Sequence, residues 1–98
     1  MKANIENLKK ALQLCAEAHK VEFCDWSEDG QFGLKSESVP VVNDVKMIAE
    51  AFYGLGNADV ETDWGYTTIW LSEDFLDEVG EFTLALALPK NWVQRIAV

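Results

Sequence analysis

Two cysteines and one histidine are the residues of this chain whose types and spacing can support catalysis or metal binding. Cys15 and His19 are four residues apart, which places both side chains on one face of a helix, and Cys24 follows with Asp25 beside it. Together they could supply the nitrogen, sulfur and oxygen ligands of a zinc site. However, the chain has no CxxC pair and no second histidine. A thiolate–imidazole nucleophile would also need an orienting group and an oxyanion site, which no motif supplies. We therefore expect a buried thiol beside a helix-terminal histidine, with no enzymatic activity, metal or cofactor.

The second chemical feature is a long acidic segment. The chain has a net charge of −9, and residues 47–89 contain no lysine or arginine. The same range holds nine carboxylates: Glu50, Asp59, Glu61, Asp63, Glu73, Asp74, Asp77, Glu78 and Glu81. The spacing of Asp59, Glu61 and Asp63 resembles the start of an EF-hand calcium loop, but Trp64 and Trp70 replace its required glycine and glutamate. A negative field of this kind repels nucleic acid and membranes, and it attracts basic protein surfaces.

Hydrophobic periodicity predicts the elements that position these residues. Apolar residues at helical spacing predict an amphipathic helix over residues 3–19, with Asn4 as its N-cap. Residues 20–35 predict a β-hairpin that turns at residues 27–30, where Asp-Gly is the strongest turn signal. A second helix is expected to begin at a cap formed by Asn43 or Asp44, after a connector over residues 36–42.

Residues 59–72 contain a conflict of periodicity. In a single straight strand, Asp59, Glu61 and Asp63 would share a face with the apolar odd-numbered residues that follow. A tight turn at Trp64-Gly65 removes this conflict, and a β-bulge at Gly65 is the alternative. With the turn, one face holds residues suited to a core: Val60, Thr62, Thr67, Ile69 and Leu71. The other face holds Asp59, Glu61, Asp63, Tyr66, Thr68 and Trp70.

The remaining residues complete an α+β pattern. Ser72 is expected to cap a short helical turn over residues 73–79, residues 82–88 predict a strand, and residues 92–96 predict a short helix or an edge strand. The order is α-β-β-α-β-β-(short α)-β over a single domain, residues 1–98. We predict two main helices packed on one face of a mostly antiparallel sheet of about five strands.

These patterns predict a binding protein rather than an enzyme. We expect it to dock a carboxylate and aromatic face on a basic partner and to inhibit or regulate that partner. The natural target is a nucleic-acid-processing enzyme, since phage anti-defence proteins and toxin immunity proteins share this small size and acidity. The expected partner-binding residues are Asp59, Glu61, Asp63, Tyr66, Trp70, Glu73, Asp74, Asp77 and Glu78.

Two other interpretations stay open. The first is a structural or adaptor subunit, which could self-associate through an edge strand or through the apolar C-terminal segment with Trp92 at the interface. The second is a small enzyme or metal-binding domain that uses Cys15, His19 and Cys24. In a further interpretation the acids only keep the sheet soluble, and the C-terminal segment covers Tyr66 and Trp70 with Trp92 as a neighbour. No secretory signal or transmembrane run is evident, and two cysteines do not form a disulfide framework, so a reducing cytoplasm is expected.

Overall fold

A computed structural model describes residues 1–79, 89 and 91–97 of the chain. Its elements are α1 (Ile5–His19), β1 (Phe23–Trp26), β2 (Gln31–Leu34), α2 (Val39–Tyr53), β3 (Val60–Asp63), β4 (Tyr66–Trp70) and α3 (Asn91–Ala97). The α+β class predicted from the sequence is confirmed. None of the helices in the described ranges has the length and apolarity needed to cross a membrane.

Helix α1 begins and ends as its sequence predicts. The side chain of Asn4 accepts a hydrogen bond of 2.8 Å from the backbone amide of Asn7, so Asn4 is the N-cap. At the other end Lys20 adopts a left-handed conformation, and its backbone amide bonds to carbonyls of the last turn. Leu8, Leu12 and other apolar residues on one side of α1 are fully buried, as the predicted amphipathic pattern requires.

Helix α2 begins earlier than its sequence predicts. Its N-cap is Ser38 and its first residue is Val39, so the predicted cap at Asn43 or Asp44 is wrong. Pro40 lies in the first turn of the helix, where a missing backbone N–H costs nothing because that group has no partner within the helix. The predicted connector over residues 36–42 is therefore mostly helix.

The first hairpin confirms the prediction for residues 20–35. Strands β1 and β2 pair antiparallel, with Trp26 opposite Gln31, and a 3₁₀ turn at Ser27–Asp29 connects them. Gly30 has φ +76°, a conformation that glycine adopts at little cost. Asp25 accepts a hydrogen bond from the backbone amide of Ser27 at 3.0 Å.

Asp25 also joins the first hairpin to α1. Its carboxylate lies 2.9 Å from the ammonium group of Lys9. Hydrogen bonds from Ser27 and Lys9 lower the pKa of Asp25 to about 2. Asp25 thus contacts α1 and the hairpin turn, and among the described residues it forms no group of potential metal ligands with Cys24.

The second hairpin has the predicted register. Asp63 lies opposite Tyr66, and Glu61 lies opposite Thr68. Trp64 and Gly65 have φ +55° and +83°, as in the two-residue turns that suit the twist of a hairpin. The turn at Trp64-Gly65 is therefore correct, and the alternative of a bulge at Gly65 is wrong.

In the residues that the structure describes, four strands form one antiparallel sheet in the order β1-β2-β4-β3, where the sequence predicted about five strands. The pairing of β2 with β4 joins the two hairpins and places Phe32 opposite Ile69, both 1% exposed. Buried residues of α1 and α2 belong to the same apolar core as these two side chains, so both helices cover one face of the sheet. Thr67, predicted for this core, is fully buried, and its hydroxyl donates a 2.6 Å hydrogen bond to the carbonyl of Ser36. Thr62, also predicted for it, is exposed because β3 is an edge strand.

The predicted helical turn over residues 73–79 is wrong, because this segment is irregular. Phe75 stacks on Tyr53 at 4.4 Å between ring centroids, and the amide of Leu76 bonds to the carbonyl of Phe52. The amide of Val79 donates a hydrogen bond to the carbonyl of Met1, the first residue of the chain. An isolated turn with four carboxylates has little stability of its own, so these tertiary contacts decide the path of the chain.

The C-terminal segment is a helix rather than an edge strand. Helix α3 packs on α1, and its Trp92 and Ile96 are 4% and 1% exposed. Trp92 therefore contributes to the core of one chain and cannot be the main residue of a self-association interface. The strand predicted over residues 82–88 lies outside the described residues.

Candidate interaction surface

The sheet has two faces of opposite character. The inner face is the one covered by α1 and α2, and the face on the opposite side is called here the outer face. Because side chains alternate along a strand, the paired registers assign each residue to one of these faces. The outer face carries Cys24, Trp26, Gln31, Gly33, Glu61, Asp63, Tyr66, Thr68 and Trp70.

The acid row of the outer face lies along its edge. Asp59, Glu61 and Asp63 are all exposed, and the carbonyl of Asp59 accepts a 3.0 Å hydrogen bond from the amide of Trp70. Alternate residues of a strand are about 6.5–7 Å apart, so the three carboxylates form an evenly spaced row. Within the described ranges, none of the three makes an ion pair. Their charges are therefore available to a partner.

Aromatic residues cover the middle of the outer face. The ring of Trp26 lies over Gly33 on the neighbouring strand and reaches Tyr66 on the next one. The two rings meet edge to face, with centroids 5.1 Å apart. A methyl group added at Gly33 would come within 2.6 Å of the Trp26 ring. The absence of a side chain at Gly33 is thus what lets one aromatic contact span three strands.

Trp64 and Trp70 present further aromatic area to solvent. Trp64, at the tip of the second hairpin, is 88% exposed, and Trp70 is 41% exposed. Trp64 also has a left-handed backbone conformation, which is costly for a large side chain. The carboxylate of Glu37 accepts a hydrogen bond of 3.2 Å from the amide of Gly65 and so braces this turn.

The later acids form a separate group and do not extend the acid row along a helix. Glu73, Asp74, Asp77 and Glu78 are exposed on the irregular segment. The hydroxyl of Ser72 accepts a 3.1 Å hydrogen bond from the amide of Asp74. The carboxylate of Glu78 lies 2.9 Å from the N-terminal amine of Met1, so its charge is balanced within the chain.

Lysine is not entirely absent from the neighbourhood of the outer face. Burial and the charge of Glu22 raise the pKa of Cys24, and the positive charge of Lys35 lowers it, so both charged groups lie near this thiol. Cys24 is on β1, at the opposite edge of the sheet from β3. The strongly negative part of the outer face is therefore its β3–β4 side.

The structure brings together a different set of potential metal ligands from the set suggested by the sequence, which was Cys15, His19 and Cys24. His19 Nε2 lies 2.7 Å from an Oδ2 atom of Asp44 on α2, and Cys15, His19 and Asp44 have their ligand atoms within 4.8 Å of one another. Cys24 is on the outer face and belongs to no such group among the described residues. Burial, with a smaller effect from the charge of Asp44, raises the pKa of Cys15 to about 12. A free Cys15 is consequently a thiol and not a nucleophile at neutral pH.

The aromatic part of the surface depends on three residues that were not expected there from the sequence: Trp26, Gly33 and Trp64. A glycine inside a strand is a signal of close approach by another group, so Gly33 could have been recognised. Trp64 could have been recognised from its place in a tight turn, where a large apolar residue is uncommon. The contact between Trp26 and Tyr66 depends on the β2–β4 pairing and has no local signal.

No protein-family model, curated protein or solved structure matches this chain.

Proposed function

We propose that this protein is a small binding protein that docks its acidic and aromatic outer face on a basic protein surface and inhibits or regulates that partner. One observation carries the proposal: the second hairpin places Glu61, Asp63, Tyr66 and Trp70 on one face of the sheet. The helices α1 and α2 cover the other face, and among the described residues Trp70 on this face is 41% exposed.

The chemistry of this face suits arginine and lysine. Carboxylates attract the cations over distance and speed association, while tyrosine and tryptophan pack against guanidinium groups and dominate interface energetics. Trp64 strengthens the argument because its exposure and its left-handed backbone both reduce the stability of the free protein. A partner that buries the Trp64 side chain would offset that cost.

A nucleic-acid-processing enzyme is the partner class that we propose. Its substrate groove is positive, and DNA presents a phosphate about every 3.4 Å along each strand. The acid row is sparser, at about 6.5–7 Å between charges, so it can meet alternate basic residues of such a groove. The separate acids Glu73, Asp74 and Asp77 add to the long-range field.

Self-association through the β3 edge is the weaker alternative. Two β3 strands paired antiparallel would bring two rows of carboxylates together, and like charges opposite each other destabilise a sheet. The same charges protect this edge from pairing with other strands. A structural or adaptor subunit would have to use another surface.

The test begins with capture of partners from the native cell by three proteins. They are the wild type, the hairpin variant Asp59→Lys, Glu61→Lys, Asp63→Lys, and a control variant Glu73→Lys, Asp74→Lys, Asp77→Lys. Both variants change the net charge equally, so only the position of the change differs. We expect a basic partner that the wild type and the control retain and that the hairpin variant loses. Capture should weaken as salt rises, because exposed charges are screened beyond about 10 Å at 0.1 M.

Affinities for the captured partner then decide the question. Equal losses of affinity in the two variants would show that only net charge matters, which contradicts the proposal. Unchanged affinity in a folded hairpin variant would also contradict it. A second variant, Trp64→Asn, places a favoured turn residue at the tip, so it should leave the fold at least as stable. We expect it to weaken binding nonetheless. A nucleic acid substrate should compete with the protein for the partner.

A further inference from the structure

We propose that Cys15, His19 and Asp44 form a binding site for one Zn²⁺ ion at the junction of α1 and α2. The site is independent of the outer face, which lies on the other side of the sheet. It also differs from the group expected from the sequence, because Asp44 replaces Cys24 and Asp25.

The backbone positions the three ligands before any metal binds. Cys15 and His19 are one helical turn apart on α1, and Asp44 is carried to them by the packing of α2 on α1. Their ligand atoms all lie within 4.8 Å of one another. A tetrahedral zinc ion with bonds of about 2.0–2.3 Å holds its ligand atoms roughly 3.3–3.6 Å apart. Small side-chain rotations therefore complete the site, and the His19–Asp44 contact of 2.7 Å opens by roughly 0.6 Å.

The donor set selects the metal. A thiolate, an imidazole and a carboxylate favour zinc over magnesium or calcium, which prefer sites made of oxygen atoms alone. When zinc binds, the Cys15 thiol releases its proton to solvent and the Zn–S bond forms. The two negative charges of the thiolate and Asp44 then balance the charge of the ion, so the buried side of the site carries no net charge.

The burial of the three side chains gives the ion an entry path and a fourth ligand. Cys15 is fully buried and anchors the inner side of the site. The side chains of His19 and Asp44 are 24% and 26% exposed, so solvent reaches the outer side. We assign the fourth position to a water molecule, as in other zinc sites with three protein ligands.

A hydrogen-bonded pair of His19 and Asp44 beside an unrelated thiol is the competing explanation. Cobalt distinguishes the two, because only coordination by Cys15 produces a thiolate-to-cobalt charge-transfer band together with the visible spectrum of tetrahedral Co²⁺. The metal-free protein is titrated with Co²⁺ and then with Zn²⁺, while calorimetry measures affinity. Thermal unfolding is followed at each Zn²⁺ concentration, and Mg²⁺ serves as the control metal.

We expect one equivalent of Co²⁺ with the charge-transfer band, its displacement by Zn²⁺, and an unfolding temperature that rises with Zn²⁺ concentration. His19→Gln and Asp44→Asn alter partly exposed side chains and should stay folded, with affinity at least about tenfold weaker. Cys24→Ser is the matched control and should bind like the wild type. The proposal is overturned by absence of the charge-transfer band, by its loss in Cys24→Ser, or by unchanged affinity in both ligand variants.

Discussion

Replacement of Gly33 by alanine should reveal whether the Trp26 ring lies across the sheet as described. The new methyl carbon would lie 2.6 Å from one ring carbon of Trp26 and 3.1 and 3.2 Å from two others. The backbone itself accepts alanine, because Gly33 is not among the glycines with positive φ. Any cost must therefore come from displacement of the ring.

Two opposing effects set the size of the change. Overpacking costs about 1–3 kcal/mol, and loss of the edge-to-face contact with Tyr66 adds about 0.5–1.5 kcal/mol. Alanine in place of glycine within a strand returns roughly 0.5–1 kcal/mol. The clash should win, since the contact involves a rigid ring, and we expect a net loss of about 2 kcal/mol, near the middle of these ranges. For a domain of this length that corresponds to a fall in Tm of roughly 8–16 °C.

A double-mutant cycle tests the cause rather than only the size. In a Trp26→Ala background the ring is absent, so Gly33→Ala should stabilise the protein by about 0.5–1 kcal/mol. Urea denaturation of the four proteins gives the coupling, and the indole N–H resonance of Trp26 reports displacement of the ring in the single variant. If Gly33→Ala has the same effect in both backgrounds, the described position of Trp26 is refuted.

Three further measurements test other contacts. Thr67→Val should cost about 1 kcal/mol, because the part-buried carbonyl of Ser36 loses its hydrogen-bond donor. The hydroxyl contact of Thr68 is exposed and 3.5 Å long, so Thr68→Val should change the free energy of unfolding by less than about 0.5 kcal/mol. If urea denaturation shows equal losses for the Thr67 and Thr68 variants, the hydrogen bond of Thr67 is not the cause. At pH 8, iodoacetamide should alkylate Cys24 of the native protein well before Cys15. With a pKa of about 12, only about one Cys15 in ten thousand is ionised at that pH, and mass spectrometry that finds equal rates would overturn this expectation. Asp25→Asn should destabilise the protein at neutral pH. Because the folded pKa of Asp25 is about 2, below its unfolded value, this difference should shrink as the pH falls from about 4 through about 2 and vanish at lower pH. A difference that stays constant from neutral pH through pH 2 would show that the charge of Asp25 is not its cause.

The second hairpin shows what local sequence can predict. The conflict between Asp63 and the apolar residues after Tyr66 is a matter of side-chain alternation alone, so it required a turn at Trp64-Gly65. The observed register agrees at each of the four pairs from Val60↔Ile69 to Asp63↔Tyr66. The cap of α1 at Asn4 was also predictable, because a cap bonds only to the next turn of the chain.

The start of α2 and the path of residues 71–79 were not predictable in the same way. Pro40 has no backbone N–H, so it is compatible either with a connector or with the first turn of a helix. The packing of α2 on α1 determines which of the two forms. The acids after Ser72 favour a helix start, but the contacts of Phe75 and Val79 with distant parts of the chain outweigh that local preference.

The sequence by itself determined the acid row and its place beside Tyr66 and Trp70, because both depend on alternation and one tight turn. Tertiary structure alone decided that Trp26 joins this face, since the β2–β4 pairing connects the hairpins. It also decided that Asp44 meets His19, 25 residues away. The physical reason is that strand alternation and turn geometry act over a few residues, while these contacts depend on the free energy of packing the whole core.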